Sequence, residues 1–379
     1  MNRTRLSSGR LFHSVLALLW IRLATVIYAE AAAFQYPPLV SAWFFSATAR
    51  AGVGYKDNVL LSGMLPYGSV FGMLGLEVFA YRAPLGGAEV RLFLEAERKQ
   101  FTEARDTEKE QLVLGNFSIS RQFGSGVTGI VGLEYSYIDQ VFDASTTELD
   151  LGVVVARGHL LAAKPRIDVA VGERTRLCFE GTIGYQWLEK PLDDYSEAGP
   201  RLELAHEYGN RSEVGIAYQL LHRDYSTRMQ ASESGTLIPG TDLAYEMHRT
   251  VLHWRHNWTK SRSMRTTARL GLDSVHDNGS GYFDYQRYFG DASVAYEPGA
   301  WGVRARLGLA RYEYAVQTVP SDGGALRHKT LVVLTLAATT RVTKRVALFA
   351  EYEHERSIGN QAFDRYNVNT VTTGIEAEF

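Results

Sequence analysis

The sequence predicts an all-β protein, a transmembrane antiparallel up-and-down β-barrel of about sixteen strands, with fourteen or eighteen also allowed by the count. Three observations predict it. Segments of ten to fifteen residues, from about residue 42 to the end, alternate apolar and polar side chains with period two. The links between them alternate short and long, as in barrels that crowd turns on one rim and extend loops from the other. Beyond the N-terminus no stretch reaches the roughly 20 continuous apolar residues of a membrane helix.

The first element is an export signal. Arg3, Arg5 and Arg10 form a basic start, Leu11 to Tyr28 is largely apolar, and small residues follow at Ala29, Ala31, Ala32 and Ala33. Arg22 interrupts the apolar run and argues against a retained anchor, since a central Arg costs about 2.5–3.5 kcal/mol on insertion. The chain therefore divides into a signal peptide at 1–33, a short periplasmic lead-in at 34–41 and a barrel at 42–379.

The strands follow in order. Trp43, Phe45, Ala47, Ala49, Ala51, Val53 and Tyr55 alternate with Phe44, Ser46, Thr48, Arg50, Gly52 and Gly54. Val90, Leu92, Leu94 and Ala96 alternate with Glu89, Arg91, Phe93, Glu95 and Glu97. Val131, Leu133, Tyr135 and Tyr137 share a face, as do Leu177, Phe179, Ile183, Tyr185 and Trp187. Near the end, Trp301, Val303, Ala305, Leu307 and Leu309 oppose Arg304, Arg306 and Gly308. Each is a wall with one apolar and one polar face. The pattern blurs only between Gly158 and Arg174, where Pro165 and two glycines interrupt it.

Composition hides such a barrel rather than revealing it. Charged residues make up 22%, the formal net charge is −2 and mean hydropathy is −0.16, because only every second strand residue would meet lipid. The 21 tyrosines and 35 glycines suit interfacial anchoring and crowded pleats. No basic stripe interleaved with aromatics suggests a nucleic-acid partner. Cys178 is the single cysteine, so no intrachain disulfide can form, and its parity places it on the inner wall. A propeller should repeat every 40–50 residues or so, and no such motif recurs. Trp43, Trp187, Trp258 and Trp301 at strand ends fit interfacial girdles.

The inner face carries the functional information. On the later strands it holds Arg249, Arg255, Arg265, Arg269, Arg304, Arg306 and Arg341. On the early strands it holds Glu77, Glu89, Glu95 and Glu97, and on the last two Glu351, Glu353, Glu376 and Glu378. Ions cannot sit unpaired in a dry interior, so this lumen is either wet or cross-linked by ion pairs. Separated arcs of Arg and Glu would set a transverse field, which tunes selectivity in charged pores. That lining resembles the lining of diffusion porins. No loop is obviously long enough to fold inward as a large constriction; Ser226 to Thr241 is the best candidate, then the loop beginning Lys56-Asp57-Asn58.

Two further resemblances sit at the chain's ends. The final Thr373-Gly374-Ile375-Glu376-Ala377-Glu378-Phe379 resembles the C-terminal signal of bacterial outer-membrane β-barrels. This implies recognition by barrel-assembly machinery through Gly374, Ala377 and Phe379. Tyr352–Phe379, with His354-Glu355-Arg356-Ser357 and Asn369-Thr370-Val371, looks like the closing hairpin of barrels similar to those of surface lipoprotein assembly modifiers. Gly54-Tyr55-x-Asp57-Asn58-Val59 also recurs in such proteins. Those modifiers carry a periplasmic repeat domain before the barrel, for which this sequence leaves no room.

Other chemistry finds little support. His253 and His256 are three residues apart and point to opposite strand faces, which disfavours a shared metal. Asp277-Asn278-Gly279-Ser280-Gly281 lacks the spacing and closing Glu of an EF-hand and reads as a turn. His354 stands near Ser357 and carboxylates, as an outer-membrane lipid hydrolase would need. No P-loop, dinucleotide fingerprint or zinc pattern occurs. A plug domain would need more than the ten or so residues between the predicted cleavage site and the first strand.

The sequence thus points to the cell outer membrane and to a non-enzymatic passage for small hydrophilic solutes, without catalytic residues, cofactor or metal. Its partners would be outer-membrane lipid and the assembly machinery, with a homo-oligomer allowed. The alternatives are a barrel serving a secretion or surface-assembly system, and a closed structural barrel or lipid hydrolase.

Overall fold

The computed structural model describes residues 43–83, 87–103, 107–144 and 153–379. The predicted signal peptide, 1–33, and lead-in, 34–41, lie outside the described residues. The strands are β1 (Trp43–Lys56), β2 (Ser69–Arg82), β3 (Glu89–Phe101), β4 (Lys109–Phe123), β5 (Val127–Asp143), β6 (Val153–Ala170), β7 (Thr175–Leu188) and β8 (Tyr195–Tyr208). They continue as β9 (Ser212–Tyr225), β10 (Ala244–Asn257), β11 (Met264–Asp277), β12 (Tyr285–Tyr296), β13 (Trp301–Val319), β14 (Ala325–Arg341), β15 (Val346–Gly359) and β16 (Tyr366–Glu378). Every strand pairs antiparallel with its neighbours in sequence, and β1 pairs with β16. The sheet is a closed barrel of sixteen strands, which removes every free edge.

The blurred stretch is an ordinary hairpin. β6 runs through Pro165, which stays opposite Val131 of β5. On its other side the ladder skips from Ala163↔Ile183 to Arg166↔Glu180, because proline has no N–H to give β7. Pro200 does the same between β8 and β9, where pairing skips from Ala198↔His222 to Arg201↔Gln219. The sheet tolerates each proline by forgoing a few bonds on one side.

Links at one rim are tight, such as 124–126 and 209–211, where Gly124 (φ 65°) and Gly209 (φ 52°) supply the left-handed turn. At the other rim they run longer, as in 57–68 and 226–243. β1 begins and β16 ends at the tight-turn rim.

The outer wall is apolar. Leu74, Leu270, Leu307, Leu336, Leu348 and Ile375 lie on different strands, and all are more than 40% exposed. So are Trp43, Trp187, Trp258 and Trp301. Exposed apolar surface on this scale needs a non-aqueous surround. The seam is tight. A side chain on Gly374 would meet the Ala51 carbonyl at 2.2 Å and the Phe349 ring at 2.8 Å, so only glycine fits where β16 closes on β1. Phe379 continues the seam, its amide donating to the Ala47 carbonyl at 2.8 Å while its ring faces outward.

One expectation is corrected at the long-loop rim. Loop 57–68, short as it is, folds inward and buries Val59 against Phe71, Met73, Phe101 and Phe349. Asn58 makes this possible: its amide donates to the carbonyls of Ser62 and Asn367, and its oxygen accepts from the Ser62 amide. Loop 226–243 also packs on inner-face side chains, with Ala231 and Leu243 joining Tyr225, Tyr245, Val275 and Phe283.

Candidate functional site

A cavity of about 1090 Å³ lies on the inner face of β8 to β15. Period two builds it: each strand sends alternate residues inward, and antiparallel register sets them in rows. One row pairs Asn257 with Arg265, Arg265 with Ala295 and Ala295 with Arg304. The next pairs Arg255 with Thr267, Thr267 with Ser293 and Ser293 with Arg306. Thr267 and Ser293 join their hydroxyls at 2.7 Å, so four arginines surround a pair of hydroxyls.

Eight arginines line this cavity against five carboxylates. The surplus is positive, and its members differ in freedom. Arg249 is fixed, with two bonds to Asp273 at 2.8 and 3.1 Å, and Arg287 reaches the same carboxylate at 2.6 Å. Arg269 is held by Asp291 at 2.8 Å. Glu213 gathers Arg176 at 2.8 Å, His253 at 3.4 Å and Arg255 at 3.7 Å. Arg304 and Arg306 are only loosely paired, with Glu297 at 3.7 Å and Asp291 at 3.9 Å. Arg265 has no ion-pair partner among the described residues. One set braces the wall, and the other presents charge to the lumen.

Arg304 and Arg306 decide whether that lumen is dry. Both point into the barrel, yet their side chains are 60% and 54% exposed. Open space therefore lies in front of them, and charged groups facing open space are hydrated.

No family model matches the sequence, and no curated protein matches it. Among solved structures, the anion-selective porin from Comamonas acidovorans is similar at 15% identity, covering 89% of this chain and 100% of that one, with a TM-score of 0.45. OccAB1 of Acinetobacter baumannii is similar at 7% identity, covering 89% and 97%, with a TM-score of 0.49. The outer membrane protein OprD from Pseudomonas aeruginosa is similar at 10% identity, covering 88% and 94%, with a TM-score of 0.44. Function lives in the site rather than in the fold.

The inner-face charges expected from the sequence divide between this cavity and the rest of the wall. Arg249, Arg255, Arg265, Arg269, Arg304, Arg306, Glu351 and Glu353 share the cavity, with the two glutamates on its β15 flank. Arg341 is exposed at the tight-turn rim, outside it. Glu77 and Glu95 stand directly opposite each other on β2 and β3, with Glu97 two residues on. Like charges so placed repel. Lys99 meets Glu97 at 3.2 Å, and Arg50 meets Glu376 at 3.2 Å. Glu97 and Glu376 are thus paired, and with Glu77 and Glu95 they form a second, acidic arc on β16, β2 and β3, across the barrel from the arginines.

Sequence reasoning missed Arg201, Arg287, Glu203, Glu213, His253 and Asp291 as cavity residues. Their parity on β8, β9, β10 and β12 was the available signal. His253 faces the lumen, while His256 stacks outside with Trp254 at 5.6 Å. No group of three or more metal-ligating side chains comes together among the described residues. Asp277 spends its carboxylate on the amides of Gly279, Gly281 and Phe283, as a turn does. The structure separates His354 from Ser357. His354 bonds Asn369 at 2.9 Å, while Ser357 is buried and donates to the Asp364 carbonyl. Three residues apart on a strand, they face opposite sides, so the hydrolase pairing does not form.

Proposed function

We propose that this barrel is an outer-membrane channel for passive diffusion of small hydrophilic solutes, and that its basic cavity favours anions. The single observation carrying this is the exposure of Arg304 and Arg306 on the inner wall. A wet lumen with more arginines than carboxylates lowers the energy of a passing anion and raises that of a cation. The lipid-facing belt makes outer-membrane lipid the surrounding partner. Residues 1–33 would direct export, and Gly374, Ala377 and Phe379 would mark the last strand for the assembly machinery.

A second reading, a closed structural barrel, is favoured by the packing of loop 57–68 into the lumen. Service to a secretion or surface-assembly system rests only on the sequence resemblance at the two ends. Swelling of proteoliposomes separates diffusion from closure. The diffusion channel admits small sugars and admits organic anions faster than cations of equal size. Swelling no faster than in protein-free vesicles would mean a closed barrel.

A further inference from the structure

We propose that the barrel carries, on the outer side of its long-loop rim at the β15–β16–β1 seam, a binding site for the phosphorylated headgroup of an outer-leaflet lipid. A cavity of about 510 Å³ lies there, lined among others by Ser62 and Gly63 of loop 57–68, Arg356 and Ile358 of β15, and Arg365 and Asn367 at the start of β16. Its size falls within the roughly 300–1,000 Å³ of small-molecule sites. It shares no lining residue with the arginine cavity of the lumen and needs no conduction through it.

Parity puts the two strand arginines' neighbours on the lipid side. Leu348 of β15 and Val371 and Ile375 of β16 face outward, and Arg356, Ile358 and Asn367 continue the same two rows. Arg356 stands directly opposite Asn367. Between them and the apolar band the wall turns polar, with Tyr352 Oη donating to Asn369 Oδ1 at 2.7 Å. Asn367 lies about 13 Å along the strand from Val371, which a tilt of about 40° turns into a height of about 10 Å. That is the depth of lipid headgroups rather than of acyl chains. Long loops of such barrels face the cell exterior, so the lipid belongs to the outer leaflet.

Loop 57–68 straddles the rim and completes the pocket. Leu61 is buried on the inner side with Tyr366 and Val368, while Ser62 and Gly63 reach the cavity beside Arg356. Gly63 is pressed on the Arg365 carbonyl, which a side chain there would approach to 2.0 Å. Ser62 Oγ accepts from the amides of Met64 at 3.3 Å and Leu65 at 3.0 Å, fixing a turn at the loop's tip. Met64 and Leu65 are 85% and 80% exposed, more than any other large apolar side chain among the described residues. Bare apolar groups beside two cations fit an amphiphile better than a soluble anion.

The charge in the pocket is uncommitted. Arg365 donates to the carbonyls of Gly359 at 2.6 Å and Asn360 at 3.4 Å, and meets no carboxylate among the described residues. Arg356 is exposed and has neither hydrogen bond nor ion pair among them. Arg311, which also faces outward towards the long-loop rim, is by contrast paired with Glu313 at 2.7 Å. The one carboxylate lining the pocket, Asp57, is spent on the backbone and side-chain amides of Asn369, both at 2.7 Å. Two guanidinium groups are thus left for an anion, and phosphate oxygens accept from such forks in pairs.

Native mass spectrometry of the full-length barrel in detergent, with diphosphorylated lipid A as the probe, tests the site. The barrel should retain one lipid A, and Arg356→Glu should weaken it by about tenfold, one attraction lost and one repulsion gained. This change breaks no bond among the described residues, so the variant should fold as the parent does. Arg365→Gln should weaken binding by about threefold, and Arg311→Glu should leave it unchanged. Parent-like binding by Arg356→Glu, or an equal loss in Arg311→Glu, would overturn the site. Glucosamine 1-phosphate tells a lipid from a free phosphosugar. In large excess it should leave lipid A bound; displacement would assign the pocket to soluble phosphosugars and overturn the lipid. Each result reads the same whether or not the lumen conducts.

Discussion

Reversing Arg304 and Arg306 to glutamate should turn an anion-preferring lumen into a cation-preferring one. The eight arginines and five carboxylates of the cavity become six and seven. A unit charge about 6 Å from a passing ion is worth roughly 0.7 kcal/mol even at the dielectric of water, and each reversal counts twice. Screening trims this, but both side chains lie within the roughly 10 Å Debye length at 0.1 M salt. The anion-to-cation permeability ratio should therefore fall by about tenfold or more, with the zero-current potential under a salt gradient changing sign. Arg341→Glu, at the tight-turn rim, should move it far less. Unchanged selectivity in the double variant would show that ions do not pass these side chains.

Leu270→Arg should be the most damaging single change on the outer wall. Leu270 lies in the middle of β11 and is 62% exposed, which in a soluble protein would make it an easy site to charge. Facing hydrocarbon, an arginine there costs about 2–4 kcal/mol. Three residues earlier, Thr267 points into the lumen beside Ser293 and opposite Arg255, and Thr267→Glu should cost no more than about 1 kcal/mol, the worth of one hydrogen bond. Urea unfolding from lipid vesicles gives both numbers. Equal tolerance at the two positions would mean that the inside and outside of β11 have been exchanged.

Much of the fold was legible because its signals are local. Alternation in Trp43–Tyr55 or Trp301–Leu309 is set by the pleat, and loop rhythm gives the strand number. Parity also put Arg304 and Arg306 on the inner wall, although which strands share a cavity depends on closure. What escaped the sequence was long-range. Asp143 and Lys329 are 186 residues apart, and nothing in either strand says that they meet. Loop 57–68 stood only second among the inward-folding candidates, since length does not show that Asn58 will tie it to Asn367. Pro165 looked like a break and is a strand residue, because a sheet can give up bonds on one side and keep the other. His354 and Ser357 are close in sequence and divided by the wall, a separation their odd spacing already implied.

In the diffusion channel proposed above, a hydrated passage runs along the arginine-lined wall from one rim to the other. Single-channel recording of the refolded full-length barrel in a planar bilayer tests it most directly. The expected result is stable, discrete conductance with a zero-current potential on the anion side. A correctly folded barrel that gives no conductance above the bare bilayer would contradict it.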